Sequence, residues 1–136
     1  MKGLLLDTHV WIWLMEGNVK LNNHHQNIIN KAAQFQKIGI AAISLWEVAM
    51  LVEKGRINLT KSLLVWVQEA LALPGIELQA LSPEIAVESS QLRTFHGDPE
   101  DRIIVATARI NNLSLFTFDQ NILDYAKKEH LSLVSS

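Results

Sequence analysis

Lys2-Gly3-Leu4-Leu5-Leu6-Asp7-Thr8-His9-Val10-Trp11 is the stretch on which the fold turns. Leu4, Leu5 and Leu6 are apolar without polar alternation, the pattern of a strand buried on both faces, and such strands occur in parallel sheets covered by helices on both sides. Asp7 and Thr8 break the run, and Thr8 to Met15 reads as a helix. A doubly buried strand feeding straight into a helix predicts the opening of a βαβ unit.

Working outward, the same alternation recurs. His24 to Gln36 suits a helix with Ile28, Ile29, Ala32, Ala33 and Phe35 as its apolar set. Ile38 to Ile43 predicts a second buried strand, and Ser44 opens a helix to Lys54 that Gly55 ends in a left-handed conformation. Thr60 can cap a helix to Leu73, stopped by Pro74-Gly75, and Ile76 to Leu81 is the third strand. Ser82-Pro83 is an N-cap and N1 pair for a helix to Leu92. Asp98-Pro99 repeats that signature before a largely apolar helix to Asn111, expected to be central. Leu113 to Phe118 is strand four, Gln120 to Glu129 a helix, and Leu131 to Val134 a closing strand. We therefore expect one α/β domain over residues 1–136, built on a mostly parallel sheet of about five strands with right-handed crossovers.

Composition narrows the chemistry. The 136 residues are 49% apolar and 19% charged, as in a compact domain rather than a disordered one. No apolar run approaches the roughly 18 residues of a membrane span, and neither a span nor a signal peptide is expected. Cysteine is absent, which removes disulfides, thiolate metal sites and cysteine nucleophiles and is compatible with a reducing cytoplasm. Fourteen acidic against 12 basic residues give a net charge of −2 and a pI near 6.2. A chain that gripped nucleic acid mainly through backbone phosphates would be basic, so strong DNA binding by the isolated chain is not expected.

Only five of the acids are Asp, at 7, 98, 101, 119 and 124. Each acid of interest has an ordinary helix-capping role open to it: Asp7, Asp98 and Asp119 as N-caps, and Glu47 as the last member of a Ser44-x-x-Glu47 capping box. Caps alone do not require clustering, however. Asp7, Glu47 and Asp119 each follow closely on a buried strand, so parallel pairing would gather them at one edge of the sheet, where sites of such folds form. Two carboxylates about 4 Å apart repel by roughly 4 kcal/mol at an effective dielectric near 20, which calls for a proton or a cation. An all-oxygen set suits Mg²⁺ or Mn²⁺, and the chemistry such sets support is phosphodiester cleavage by metal-activated water. Spacing alone does not place Asp98 or Asp101.

Four segments taken in order, Leu6-Asp7-Thr8-His9-Val10-Trp11, Ser44-Leu45-Trp46-Glu47-Val48-Ala49, His96-Gly97-Asp98-Pro99-Glu100-Asp101-Arg102-Ile103-Ile104-Val105-Ala106 and Thr117-Phe118-Asp119, resemble the PIN-domain nucleases, and most closely the VapC-type toxins of toxin–antitoxin pairs. The match is collinear over nearly the whole chain. The resemblance implies a three-layer α/β/α PIN-like fold and an acidic quartet of Asp7, Glu47, Asp101 and Asp119 that holds Mg²⁺ or Mn²⁺ and supports cleavage of single-stranded or structured RNA. Asp98 matches an additional acid of the subgroup and is an alternative ligand. Thr8 and Thr117 would orient ligands or water, and Arg102 would meet a phosphate or pair with an acid. The resemblance also implies a cognate antitoxin partner, a homodimer and a cytoplasmic location. One departure is the absence of a proline near Leu92, which bears on the local loop alone.

Rival readings lack their residues. A haloacid-dehalogenase-type phosphatase wants a second Asp two residues after Asp7, where this chain has His9, and a phospho-receiver wants a strand-end Lys, whereas Lys127 and Lys128 fall in a predicted helix. A PIN-type RNA-processing nuclease without an antitoxin, and a non-catalytic α/β interaction module, remain as alternatives. His9, His24, His25, His96 and His130 show no metal-ligand spacing. Trp11, Trp13, Trp46 and Trp66 read as core or interface, base stacking being the less favoured use; Trp11 and Trp13 lie about 200° apart around a helix, so one of them can face outward.

Overall fold

The computed structural model describes residues 2–35, 37–129 and 131–134. Gln36, the expected end of the second helix, and His130 lie outside them. In chain order the elements are β1 (Leu4–Leu6), α1 (Thr8–Glu16), α2 (Asn23–Phe35), β2 (Ile38–Ala41), α3 (Ala42–Glu53), α4 (Leu63–Ala72), β3 (Ile76–Gln79), α5 (Pro83–Ser90), α6 (Pro99–Ile110), β4 (Ser114–Phe116) and α7 (Gln120–Lys128).

The strands form one sheet in the order β3-β2-β1-β4, and every pairing is parallel. Leu4–Leu6 run in register with Ile38–Ile40 on one side and Ser114–Phe116 on the other, so the leucine triplet is the centre of the molecule. Strand alternation divides it between two cores. Leu4 and Leu6 join Ile38, Ile40, Phe116 and the inner residues of α1 to α4, while Leu5 and Leu115 join Ile104, Val105, Ile122 and Tyr125 from α6 and α7. The result is the expected three-layer α/β/α arrangement. Each fully buried Leu or Ile contributes about 1.5–3 kcal/mol, which is why so short a strand suffices.

Several local expectations are corrected. Among the described residues the sheet has four strands, not five: Leu133 makes only an isolated bridge to Leu115. Among the described residues the closing segment makes one bridge to β4, supported by a contact between the Ser132 and Ser114 hydroxyls, and a single bridge is not a ladder. The second strand ends at Ala41, because Ala42 already begins α3. Ser44 is thus inside the helix, no side chain caps its start, and the Ser44-Glu47 capping box does not form. Thr60 does not cap α4, whose N-cap position is Ser62; Thr60 instead donates its backbone N–H and its hydroxyl to Glu16 at 3.0 and 3.1 Å. Phe35, expected on the buried face of α2, is 67% exposed.

Other signals hold. Gly55 has φ +70°, and Gly75 has φ +83° with no room for a side chain, since a Cβ there would lie 2.5 Å from the Ala33 carbonyl oxygen. Ser82 accepts from the backbone N–H of Ile85, with Pro83 in the first turn. The helix after Asp98 is central, burying Ile104 through Ala108. No helix among the described residues is long and apolar enough to cross a membrane.

Candidate active site

Asp7 is the first residue past β1, and its backbone N–H bonds the Phe116 carbonyl at 3.0 Å. That bond continues the β1–β4 ladder one step and sets Asp7 beside Thr117. The Thr117 hydroxyl donates to Asp7 Oδ2 at 2.6 Å, and the Thr8 N–H donates to Asp7 Oδ1 at 2.8 Å. The same Thr117 hydroxyl accepts from the Asp119 N–H at 3.0 Å, and Asp119 Oδ1 caps α7 by accepting from the Ile122 N–H. One threonine therefore sets the positions of two carboxylates. For Asp7 and Asp119, capping and site membership are one geometry rather than competing readings.

Glu47 sits in the middle of α3 and is held from below. The buried Thr8 hydroxyl donates to Glu47 Oε1 at 2.7 Å and lies 2.8 Å from Ser44 Oγ. Because the Thr8 proton is committed to the carboxylate, Ser44 is the donor in the second contact. The serine's role is thus a relay to Glu47 through Thr8, which sequence spacing misread as a cap.

Asp98 and Asp101 come from the start of α6. Asp98 occupies the N-cap position, but its side chain makes no capping hydrogen bond, which leaves both carboxylate oxygens exposed at the site. Asp7, Glu47, Asp98, Glu100, Asp101 and Asp119 all line one cleft of about 530 Å³. The same cleft is also lined by Arg56, Met50, Trp13 and Phe118.

The electrostatics follow from this crowding. Burial raises the Asp7 carboxyl above its usual range, opposed by the hydrogen bonds from Thr117 and Thr8. Burial also raises Glu47, against the bond from Thr8 and with the charge of Asp7 adding to the rise. Asp101 is pushed up to about 7, first by burial and then by the negative charges of Asp7, Asp119, Glu47 and Asp98. It is the group on which the whole cluster's repulsion converges.

Two observations bear on a cation. Every donor is a hard oxygen, the set that divalent Mg²⁺ or Mn²⁺ prefers, and the buried Glu100 Oε2 has no hydrogen-bond partner. Among the described residues, however, no three His, Asp or Glu side chains are drawn together tightly enough to grip an ion as they stand. The donor set fits a divalent cation in its chemistry, and its members share one cleft.

The PIN-domain family model matches residues 4–128. The chain belongs to the PIN-domain family. Ribonuclease VapC22 of Mycobacterium tuberculosis is 34% identical over 125 residues, covering 90% of this chain and 91% of that protein. Among solved structures, VapBC2 of Rickettsia felis bound to a DNA fragment from its promoter superposes with a TM-score of 0.72 at 17% identity, over 96% of both chains. DNA-bound VapBC of Salmonella typhimurium superposes with a TM-score of 0.71 at 18% identity, over 98% of both chains. At such identities these likenesses concern the fold.

Set on this PIN fold, the residues named from sequence divide cleanly. Asp7, Glu47, Asp98, Asp101 and Asp119 share the cleft, and Thr8 and Thr117 support it from behind. Arg102 does neither of the things expected of it. Its guanidinium donates to three carbonyls, those of Ser89, Phe95 and Leu92, at 2.9, 2.7 and 3.0 Å. It staples the end of α5 and the loop that follows it to α6, and each of its three nitrogens already donates to a carbonyl. Sequence reasoning passed over Glu100, Arg56 and Ser44. Glu100 had a visible signal, lying between Pro99 and Asp101 in a helix first turn, whereas Arg56 follows the end of α3 and reaches the cleft only through the packing of that helix.

Proposed function

We propose that this PIN-domain chain is an Mg²⁺- or Mn²⁺-dependent endoribonuclease and the toxin of a toxin–antitoxin pair, held in check by a cognate antitoxin. The observation that carries the reading is the meeting of Asp7, Glu47, Asp101 and Asp119 at the carboxyl edge of the sheet in one cleft. The ribonuclease name of the 34% identical relative supports RNA as substrate. The collinear VapC-type motifs support the antitoxin, as does the likeness of the fold to a chain in a toxin–antitoxin complex from Klebsiella pneumoniae, at 24% identity and a TM-score of 0.60 over 86% of this chain and 87% of that one.

Asp7, Glu47, Asp101 and Asp119 would hold the metal, with Asp98 as an alternative ligand. A bound divalent ion supplies positive charge to the phosphodiester and acidifies water for in-line attack. The chain's own part is positioning. Thr117 and Thr8 fix the lone pairs of Asp7, and Thr8 holds Glu47 so that its second oxygen stays free. Arg56, which lines the same cleft as the carboxylates, offers a guanidinium to a phosphate of the RNA. No side-chain nucleophile is needed, and the product carries a 5′-phosphate.

A homodimer is part of the proposal. Trp46, 52% exposed, lies with Ile43, Pro99 and Ile103 around a shallow apolar hollow beside the cleft, the sort of surface a second copy would cover. Action on cellular RNA would place the protein in the cytoplasm.

The test is RNA cleavage by rigorously purified protein with and without Mg²⁺ or Mn²⁺. Asp7→Asn should abolish metal-dependent cleavage while leaving the circular-dichroism spectrum and the cooperativity of unfolding intact. Cleavage retained by the variant, or undiminished by chelator, overturns the assignment.

A further inference from the structure

Phe118 stands between Thr117 and Asp119, the two residues that tie β4 to the carboxylate cluster, and yet it is 41% exposed. Its position is fixed rather than loose. The ring centroid lies 5.7 Å from Phe116, 5.3 Å from His25 and 5.6 Å from Trp13. Phe116 and His25 are buried, so the exposed ring is braced from beneath by core residues. Trp13 is half-buried, has the His9 ring 6.3 Å away, and carries Lys20 Nζ 4.9 Å from its ring centroid. Phe118, Trp13 and His9 line the same cleft as Asp7 and Asp119.

A braced aromatic ring that keeps an exposed face while lining an acidic cleft suits an occupant that is flat and apolar on its face and that arrives attached to phosphate. A nucleobase meets both conditions. Aromatic rings stack on every base because every base has a π-face, and a neighbouring ammonium group suits the adjoining phosphate. Lys20 provides that cation beside Trp13. A base paired and stacked within a duplex has no face to offer, so the occupant must be unpaired.

We infer that Phe118, backed by Trp13, is a stacking platform for one unpaired base of the RNA, on the nucleotide flanking the phosphate that the Asp7–Asp119 cluster attacks. The inference rests on the ribonuclease reading and adds to it a binding residue and its place beside the scissile phosphate. It requires the enzyme to act on single-stranded or looped segments and to lose grip, rather than chemistry, when the ring is removed.

The experiment measures, on the full chain, both binding of mixed-sequence single-stranded RNA oligonucleotides by fluorescence anisotropy and metal-dependent cleavage of the same pool. Wild type, Phe118→Leu and Phe118→Trp are compared, with thermal unfolding as a control for damage to the fold. Loss of one stacked base should weaken RNA binding and raise KM by about tenfold while kcat stays within about twofold. Phe118→Trp should restore wild-type values, and a fully paired duplex should bind all three proteins alike. Wild-type affinity in Phe118→Leu, a loss confined to kcat, or a tryptophan variant no better than leucine overturns the platform while leaving the nuclease reading standing. Phe118-dependent binding without cleavage by wild type overturns the ribonuclease reading and with it the placement beside a scissile phosphate. Neither binding nor cleavage overturns both.

Discussion

Replacing Asp101 by Asn should make the metal-free protein more stable and the enzyme inactive, because burial and then the charges of Asp7, Asp119, Glu47 and Asp98 all disfavour its ionised form. Its pKa is 3.8 in an unstructured chain and about 7 in the fold. The folded state therefore disfavours its ionised form: stability associated with this group is complete below pH 3.8 and falls as pH rises to about 7, beyond which the loss is constant. Full conversion at about 1.36 kcal/mol per pH unit gives roughly 4 kcal/mol. Asp101 is only half-buried, and water in the cleft screens its neighbours, so we expect about 1–2 kcal/mol. For a domain of this size that is a rise in Tm of about 3–8 °C. The assay is thermal unfolding of wild type and Asp101→Asn in chelator, repeated from about pH 4 to about pH 8. The difference should be near zero at the acid end, grow through the interval and level off above neutrality. Saturating Mg²⁺ or Mn²⁺ should narrow or reverse the order, since wild type gains about 2.7 kcal/mol at a hundredfold excess of ion over Kd and the variant gains less. A difference independent of pH, or equal stabilisation of both proteins by metal, would refute the claim that Asp101 is where the cluster's repulsion converges.

Thr8→Val removes the hydroxyl under Glu47 and leaves Ser44 without its partner; cleavage or metal affinity, measured by kinetics or calorimetry, should fall about 10- to 100-fold with the fold intact. Arg102→Gln should cost about 2–4 kcal/mol in denaturant unfolding because three backbone carbonyls, one at the end of α5 and two in the loop after it, lose a charged donor, while kcat in the folded protein at low temperature changes little; a large kcat loss without destabilisation would return Arg102 to the chemistry. Arg56→Gln should raise KM for RNA and reduce the slope of log affinity against log salt by about 0.7, the value for one phosphate contact on a single strand. An unchanged slope would remove Arg56 from the phosphate path.

The layering of the fold was legible because it depends on local pattern. Leu4-Leu5-Leu6 and Ile38-Gly39-Ile40 read as doubly buried strands and are so, and Asp98-Pro99 marked its helix start through backbone geometry that needs no partner. Boundaries slipped where tertiary packing competes with propensity. Ile43 is β-branched and reads as strand, yet α3 has already begun at Ala42, and the closing segment has strand character but one rung to pair with.

The aspartates divide along the same line. That Asp7 and Asp119 follow parallel strands was a statement about sequence, and parallel pairing alone brought them to one edge. Which atoms hold them was not: Thr117 serves Asp7 and Asp119 together across a separation of 110 residues from Asp7, and Ser44 reaches Glu47 through Thr8. Arg102 was misread because a guanidinium beside an aspartate looks the same in sequence whether its donors turn to a phosphate or to three carbonyls. The residue types determined by themselves that any metal here must be bound by oxygen and that the fold must be a parallel α/β layer. Tertiary structure put Asp98 and Asp101, which strand spacing could not place, in one cleft with the strand-end acids, brought Arg56 and Phe118 to line it, and raised Asp101 through burial and the charges around it, since burial, Coulomb repulsion and aromatic contact depend on distance through space rather than along the chain.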